Sequence, residues 1–396
     1  MYTATKDRLL PTTVTGSWPR PTWYTGNTRG QRFSDALRTS AFREQFFDAV
    51  AVVLSDQERA GLDIVTNGDY HLDTEMAGQG WLDYPLDRWS GLSPREHLAP
   101  SEQLYTYPPG TLLDEIFVRG WMWPRVVDQV RAKTPLDFAR IWETAQSRTD
   151  RPVKFGTISA QTLADMLRVE TDRYGQDRHD LILEMARLLN AELRDLVRAG
   201  CEVVQVEEPA IHAVAAADPE SPELDFLVDA FNVEVEGLDG AEVWAHTCWG
   251  NPNMQRVYGA RTYEPCVELF LERLNIDVWT VEAKDNGQEV LPFLKPHRDT
   301  MKVKIALGVV SHRDLIADTP EDVAAEIRNG LDAIRPEHLV LSTDCGFGRE
   351  GCNRAIALYK TAAMVQGANI VREELGGETR RVRIAESSRE LGTRAR

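Results

Sequence analysis

Residues 179–208 read HDLILEMARLLNAELRDLVRAGCEVVQVEE, and this stretch sets the fold class. Leu181, Leu183, Met185, Leu188, Leu189 and Leu193 recur near a 3.6-residue period, so 179–199 is expected to be an amphipathic helix. The short apolar run that follows, 202–208, is expected to be a buried strand. The same rhythm fills the chain on both sides. Strands are expected at 12–17, 64–69, 153–158, 202–208, 242–248, 278–282, 304–310 and 339–345. A second helix is expected at 321–334, where Thr319-Pro320 supplies a cap and a first turn. Strands alternating with helices imply a parallel sheet, and eight strands is the number that closes a barrel. The expectation is an α/β protein, a single (β/α)8 TIM barrel.

Two stretches break the rhythm. Residues 71–150 are too long for a simple connection and hold Trp81, Trp89, Trp121, Trp123 and Trp142, half of the chain's ten tryptophans. They are read as an aromatic-rich insertion after the second strand, folded over one barrel end, where such excursions shape a substrate site. A subunit contact or extra core is the other reading, the former giving a homo-oligomer. The main body is then 1–375, and 376–396 is an Arg-rich tail expected to be mobile or to dock on a neighbouring subunit.

Composition bounds the partners. A net charge of −17 repels phosphate backbones, which argues against nucleic acid. No apolar run approaches the ~18 residues of a membrane span. The opening MYTATKDRLL lacks a signal-like apolar region, and five cysteines is an odd number in a chain too large to need disulfide staples. A reducing cytoplasm is the expected setting.

The residues that carry chemistry gather at strand ends. In Ala245-His246-Thr247-Cys248 the histidine and the second cysteine position share a strand face, because residues i and i+2 point the same way. Imidazole and thiolate are natural zinc ligands. Cys345 ends the last expected strand and Glu282 ends the sixth. In a closed barrel His246, Cys248, Glu282 and Cys345 would surround one mouth as a tetrahedral zinc set. Cys201, Cys266 and Cys352 are read as ordinary thiols. Ser17, Asp69, Glu207 and Glu208 also lie at strand ends, where carboxylates suit an ammonium group; one of Glu207 and Glu208 is expected to pair with an arginine instead. His312 follows the seventh strand, as a general acid or a solvated loop histidine. Residues 346–351 spell G-x-G-x-x-G, but no second strand follows to complete a dinucleotide-binding unit. Those glycines are read as a tight turn past the metal site, and the helix after them can offer its N-terminus to an anion.

Taken in order, T-G-S-W-P at 15–19, N-G-D at 67–69, Q-V-E-E-P-A at 205–210, H-T-C at 246–248, T-V-E at 280–282, L-G-V-V at 307–310 and T-D-C-G at 343–346 resemble the catalytic C-terminal barrel of the cobalamin-independent methionine synthase family. The resemblance spans about 12–372 and is closest to the short "core" members, which lack a second N-terminal barrel. It implies a catalytic zinc on His246, Cys248, Glu282 and Cys345. It places Ser17, Asp69 and Glu207 where the family holds the amino-acid part of homocysteine, and His312 near the family's proton donor if a one-residue gap is allowed. The family usually has Glu where this chain has Asp69 and Asp where it has Glu207, so each carboxylate shifts by one methylene, about 1.5 Å of reach.

The expected reaction is zinc-dependent methylation of a thiol, homocysteine giving methionine. A coordinated thiol loses its proton, so the substrate would displace Glu282 or a water, bind as thiolate and attack an activated carbon while His312 protonates the leaving group. The methyl donor implied is a methyl-folate or a methyl-corrinoid protein. An epoxyalkane–coenzyme M transferase, a zinc-free decarboxylase of the uroporphyrinogen decarboxylase type and a non-catalytic zinc protein are the competing readings. The Asp69 and Glu207 carboxylates favour an amino acid over a sulfonate, and the four candidate ligands argue against the decarboxylase.

Overall fold

A computed structural model describes residues 2–73, 78–99, 102, 106–175, 178–258, 262–348 and 351–384. The strands are β1 Val65–Thr66, β2 Trp89–Leu92, β3 Arg125–Ala132, β4 Val153–Ile158, β5 Arg168–Val169, β6 Val203–Glu207, β7 Glu242–Thr247, β8 Val278–Val281, β9 Lys304–Val310 and β10 Leu339–Thr343. Seven of them form one sheet in the order β1-β4-β6-β7-β8-β9-β10, with every neighbouring pair parallel. It is the curled half-barrel of a TIM-like α/β fold. Alternate residues face inward, and Ile64, Val203, Trp244, Val278, Ala306 and Val340 close the lower interior around Ala4. The helix His179–Arg198 buries Leu181, Met185, Leu189 and Leu193 as its periodicity requires. Pro320–Ala333 starts on a capping box between Thr319 and Asp322.

The sheet has seven named strands where eight were expected. Residues 12–17 form no strand; they make one parallel bridge, Thr12 to Leu341. On one side Thr13 N donates to Leu341 O at 3.0 Å and Leu341 N to Pro11 O at 2.8 Å. On the other, Asp63 N and Ile64 N donate to Thr12 O at 3.0 and 3.1 Å. The segment thus bonds both edges of the sheet, but side chains take the amides a ladder would use. Thr12 N donates to Asp63 Oδ2 and Thr15 N to Thr343 Oγ1, each at 3.0 Å. The expected strand at 64–69 shortens to two residues for a similar reason. Gln57 Oε1 accepts from Thr66 N at 2.8 Å, and Gly68 and Asp69 turn through positive φ (72° and 60°).

The insertion builds a second, three-stranded sheet, β2-β3-β5. β2 pairs antiparallel with β3, and β3 pairs parallel with β5, which lies beyond residue 150. Its five tryptophans are all buried. The tail begins docked rather than mobile: Val382 and Ile384 are buried, and Arg380 bonds Asp63 Oδ1 at 2.5 Å within the same chain. Residues 385–396 lie outside the described residues. Among the described residues no helix is long and apolar enough to cross a membrane.

Candidate metal centre

The strand register assembles the site. Glu207 on β6 lies opposite His246 on β7, and His246 lies opposite Thr280 on β8. Cys248 stands one inward position above His246, and Cys345 follows β10. Ligand atoms of His246, Cys248 and Cys345 all lie within 4.8 Å of one another. His246 Nδ1 lies 3.3 Å from Thr280 O, which keeps a proton on Nδ1 and turns Nε2 towards the thiols and Glu207; against the effect of burial, Glu207 and Cys345 raise the ring to about 9. Nε2 is buried and has no hydrogen-bond partner. An imidazole nitrogen beside one buried and one half-buried sulfur is the donor set zinc takes. The thiols already share charge: a hydrogen bond from Cys248 and the neighbouring His246 hold Cys345 well below the ordinary thiol range, against the effect of burial, while Cys248 is pushed up.

Glu282, read as the fourth ligand, is engaged elsewhere. Its carboxylate meets Arg313 Nη2 at 2.9 and 3.1 Å and Nε at 3.2 Å, and accepts from Trp249 N at 2.8 Å. The carboxylate that approaches His246 Nε2, at 3.6 Å, belongs to Glu207. Glu207 is fixed from below, where Lys154 Nζ donates to Gln205 Oε1 and Gln205 Nε2 donates to Glu207 Oε1, both at 2.7 Å. Burial drives the Lys154 ammonium down to about 7 in spite of Glu207 and Asp69. Among the described residues neither Glu207 nor Glu208 pairs with an arginine, contrary to the expectation for one of them; Glu207 lies beside His246. Glu208 caps the helix Pro209–Ala217 by accepting from Ala210 N and Ile211 N at 2.9 and 3.0 Å.

His312 is buried, not a solvated loop histidine, with Nδ1 3.5 Å from Asp285 Oδ2. Asp344, beside Cys345, accepts from the amides of Ala283, Lys284 and Asp285 at 2.8, 2.9 and 2.8 Å. The loop after β8 is thereby tied to the end of β10. Gly308 makes room for this; a Cβ there would fall 2.0 Å from Asp344 Oδ1. In the G-x-G-x-x-G run, Gly346 and Gly348 pack against Gly16 and Ser17. Residues 349 and 350 lie outside the described residues. Cys201, Cys266 and Cys352 are free and buried, and burial raises their thiols.

Two cavities open here. A small one of about 130 Å³ is lined by Glu207, Cys248 and Cys345 and walled by Trp81, Phe117, Trp121 and Tyr258. A larger one of about 630 Å³ is lined by Ser17, Asp69 and Arg354 among others. Gly78 and Trp81 line both. The predicted substrate residues therefore divide, with Glu207 in the small cavity and Ser17 and Asp69 in the large one. Arg313, Gln205 and Lys154 were missed by sequence reasoning. The available signal for Lys154 was a lone charge at an inward position of an apolar strand.

The family described as "Cobalamin-independent synthase, Catalytic domain" matches residues 117–369. A methionine synthase of Sulfurisphaera tokodaii is 29% identical over 368 residues, covering 93% of this chain and 94% of that protein. One from Saccharolobus solfataricus is 27% identical over 372 residues, covering 93% and 96%. Among solved structures, a B12-independent methionine synthase from a Shewanella species, in complex with selenomethionine, superposes with a TM-score of 0.73 at 24% identity, covering 93% of this chain and 99% of that one. A putative vitamin-B12-independent methionine synthase from Listeria monocytogenes gives 0.60 at 16% identity, covering 92% and 99%. With more than half of its length matched, the chain belongs to the cobalamin-independent methionine synthase family, as an enzyme of the catalytic-domain type.

Proposed function

We propose that this chain is a zinc-dependent thiol methyltransferase that converts homocysteine to methionine. The observation that carries the reading is the cluster of His246, Cys248 and Cys345 opening onto a small apolar cavity with Glu207 in its wall. Zinc held by those three residues would bind a substrate thiol as thiolate at neutral pH. Glu207, oriented by Gln205, receives the substrate ammonium, with Asp69 and Ser17 on the neighbouring wall. Trp81, Phe117 and Trp121 exclude water from the thiol. His312, steadied by Asp285, gives a proton to the group that leaves the methyl carbon. Glu282, held by Arg313, would be the fourth protein ligand for such a zinc. The methyl donor is a methyl-folate or a methyl-corrinoid protein. Residues 11–15 serve as the eighth stave of a (β/α)8 barrel, 71–150 roof its mouth, and a cytoplasmic setting suits its free thiols.

Zinc X-ray absorption on the purified protein tests this. Two sulfurs and two nitrogen or oxygen neighbours are expected, rising to three sulfurs with L-homocysteine. A third sulfur with coenzyme M and none with homocysteine would replace the substrate. No zinc, or a Cys248→Ala variant with full zinc and full rate, would overturn the assignment.

A further inference from the structure

Resting on the zinc reading of the metal centre, we propose that Asn251 is a positioning residue: its bond to Gly346 fixes how Cys248 and Cys345 face each other across the mouth, and with it how tightly the pair holds a metal. The sheet alone does not fix this. β7 and β10 are separated by β8 and β9 in the sheet order. Cys248 lies one residue beyond β7 and Cys345 two beyond β10, so each sulfur stands on loop backbone outside the strand ladder. Their relation therefore depends on what joins the two loops.

Asn251 makes that join. It is 7% exposed and lines the small cavity beside both cysteines. Its Nδ2 donates at 2.9 Å to the carbonyl of Gly346, the residue after Cys345. Gly346 is a firm anchor, because it is wedged against Gly16 and Ser17; a Cβ there would fall 2.6 Å from Ser17 N. The orientation of the amide follows from this bond: turned over, its oxygen would face the oxygen of Gly346. Oδ1 is buried without a hydrogen-bond partner, a cost carried to keep the N–H in place. The segment so anchored needs holding. Gly250, Asn253 and Met254 adopt positive φ, at 86°, 45° and 63°, and the last two carry side chains that make this region costly. Glu282 holds the segment from the β8 side, accepting from Trp249 N at 2.8 Å. Arg313 holds it from the β9 side, donating to Gly250 O at 2.8 Å and Met254 O at 3.1 Å. Asn251 holds it from the β10 side. Removing the amide leaves the first two anchors, so the loop stays folded while Cys248 loses its brace against the loop of Cys345.

The test strips the full chain of metal and reloads it with zinc or cobalt(II). Competition with a chromophoric chelator gives the zinc affinity, and the cobalt absorption bands report thiolate ligation. Asn251→Ala is expected to bind zinc roughly 10–100-fold more weakly and to shift the cobalt bands. Asn251→Gln keeps an amide donor on a longer arm and should fall between that variant and the unaltered chain. Asn190→Ala is the control: on the helix His179–Arg198, the Asn190 amide donates to Glu234 O at 2.9 Å and Glu236 O at 2.8 Å. Its loss should lower stability and leave both metal readouts in place. Unchanged affinity and bands in Asn251→Ala, or equal weakening in Asn190→Ala, overturn the proposal. Should Asn251→Ala not fold, a shifted cobalt spectrum in Asn251→Gln supports the proposal and an unchanged one overturns it. An unaltered chain that binds no metal overturns this proposal and the zinc reading together. Zinc binding without a third sulfur from homocysteine removes the homocysteine reading alone.

Discussion

Arg313 grips Glu282: the guanidinium Nη2 and Nε reach the carboxylate at 2.9–3.2 Å, with Glu282 0% and Arg313 13% exposed. Removing one partner of a buried pair strands the other charge, at a cost of about 3–5 kcal/mol. A metal cation within reach would take over that stranded carboxylate. Arg313→Met is therefore expected to lose about 3 kcal/mol of unfolding free energy in metal-free protein and clearly less when zinc is bound. Denaturant unfolding with and without zinc measures the difference. Equal losses in both states would mean that Glu282 never joins the metal.

Lys154 is buried to 2% exposure, and its ammonium is held at about 7, below its unfolded value near 10.4. Between those values the unfolded chain binds more protons than the folded one, so stability rises as pH rises from about 7 towards 10. Lys154→Met should abolish that slope and leave the protein at least as stable at pH 7. The same change removes the hydrogen bond that turns Gln205 towards Glu207. The KM for homocysteine should rise roughly tenfold with kcat little changed, while the KM for the methyl donor stays put.

Gly308 has no tolerance for a methyl group, because the carboxylate of Asp344 occupies that place. Gly308→Ala is expected to push Asp344 off its three amides and tilt Cys345 with it. A loss of about 1–3 kcal/mol in unfolding free energy is expected, with zinc held roughly 10–100-fold more weakly in chelator competition.

At the opposite end of the sheet, Asp63 bonds Arg372 at 2.7 Å and Arg380 at 2.5 Å. Burial raises its carboxyl, but the two arginines outweigh burial and hold it below the ordinary range. A lowered carboxylate gives stability that is present above the unfolded value, near 4, and fades as pH falls through the folded one. Acid unfolding should begin below pH ~4, and Asp63→Asn should remove this limb while costing about 3–5 kcal/mol at pH 7 by stranding Arg372. An unchanged acid limb in Asp63→Asn would place the titrating group elsewhere.

The parts of this molecule that follow a period were legible in the sequence. His246 and Cys248 share a face because a strand alternates, and the leucines from Leu181 to Leu193 mark their helix because it turns every 3.6 residues. What depends on local side-chain competition was not. Thr12 and Thr15 lie in a stretch with strand-like composition, yet the Asp63 carboxylate and the Thr343 hydroxyl take their amides. Glu207 and Glu208 are adjacent in sequence, and only the turn into Pro209 decides that one faces the cavity while the other caps a helix. Nothing in the spacing of Glu282 and Arg313 announces their contact, which depends on the path of the loop after β9.

The order in which the chain leaves the ribosome gives β5 a role of its own. β2 and β3 are made early, but the edge of β3 stays unpaired until Arg168 and Val169 arrive behind β4 and the helix Ala160–Asp165. The three-stranded second sheet is therefore completed by a strand synthesised after part of the main sheet. Excised as 71–150, the segment would carry an exposed β3 edge and uncovered tryptophans, so it is expected to fold together with the main sheet rather than alone.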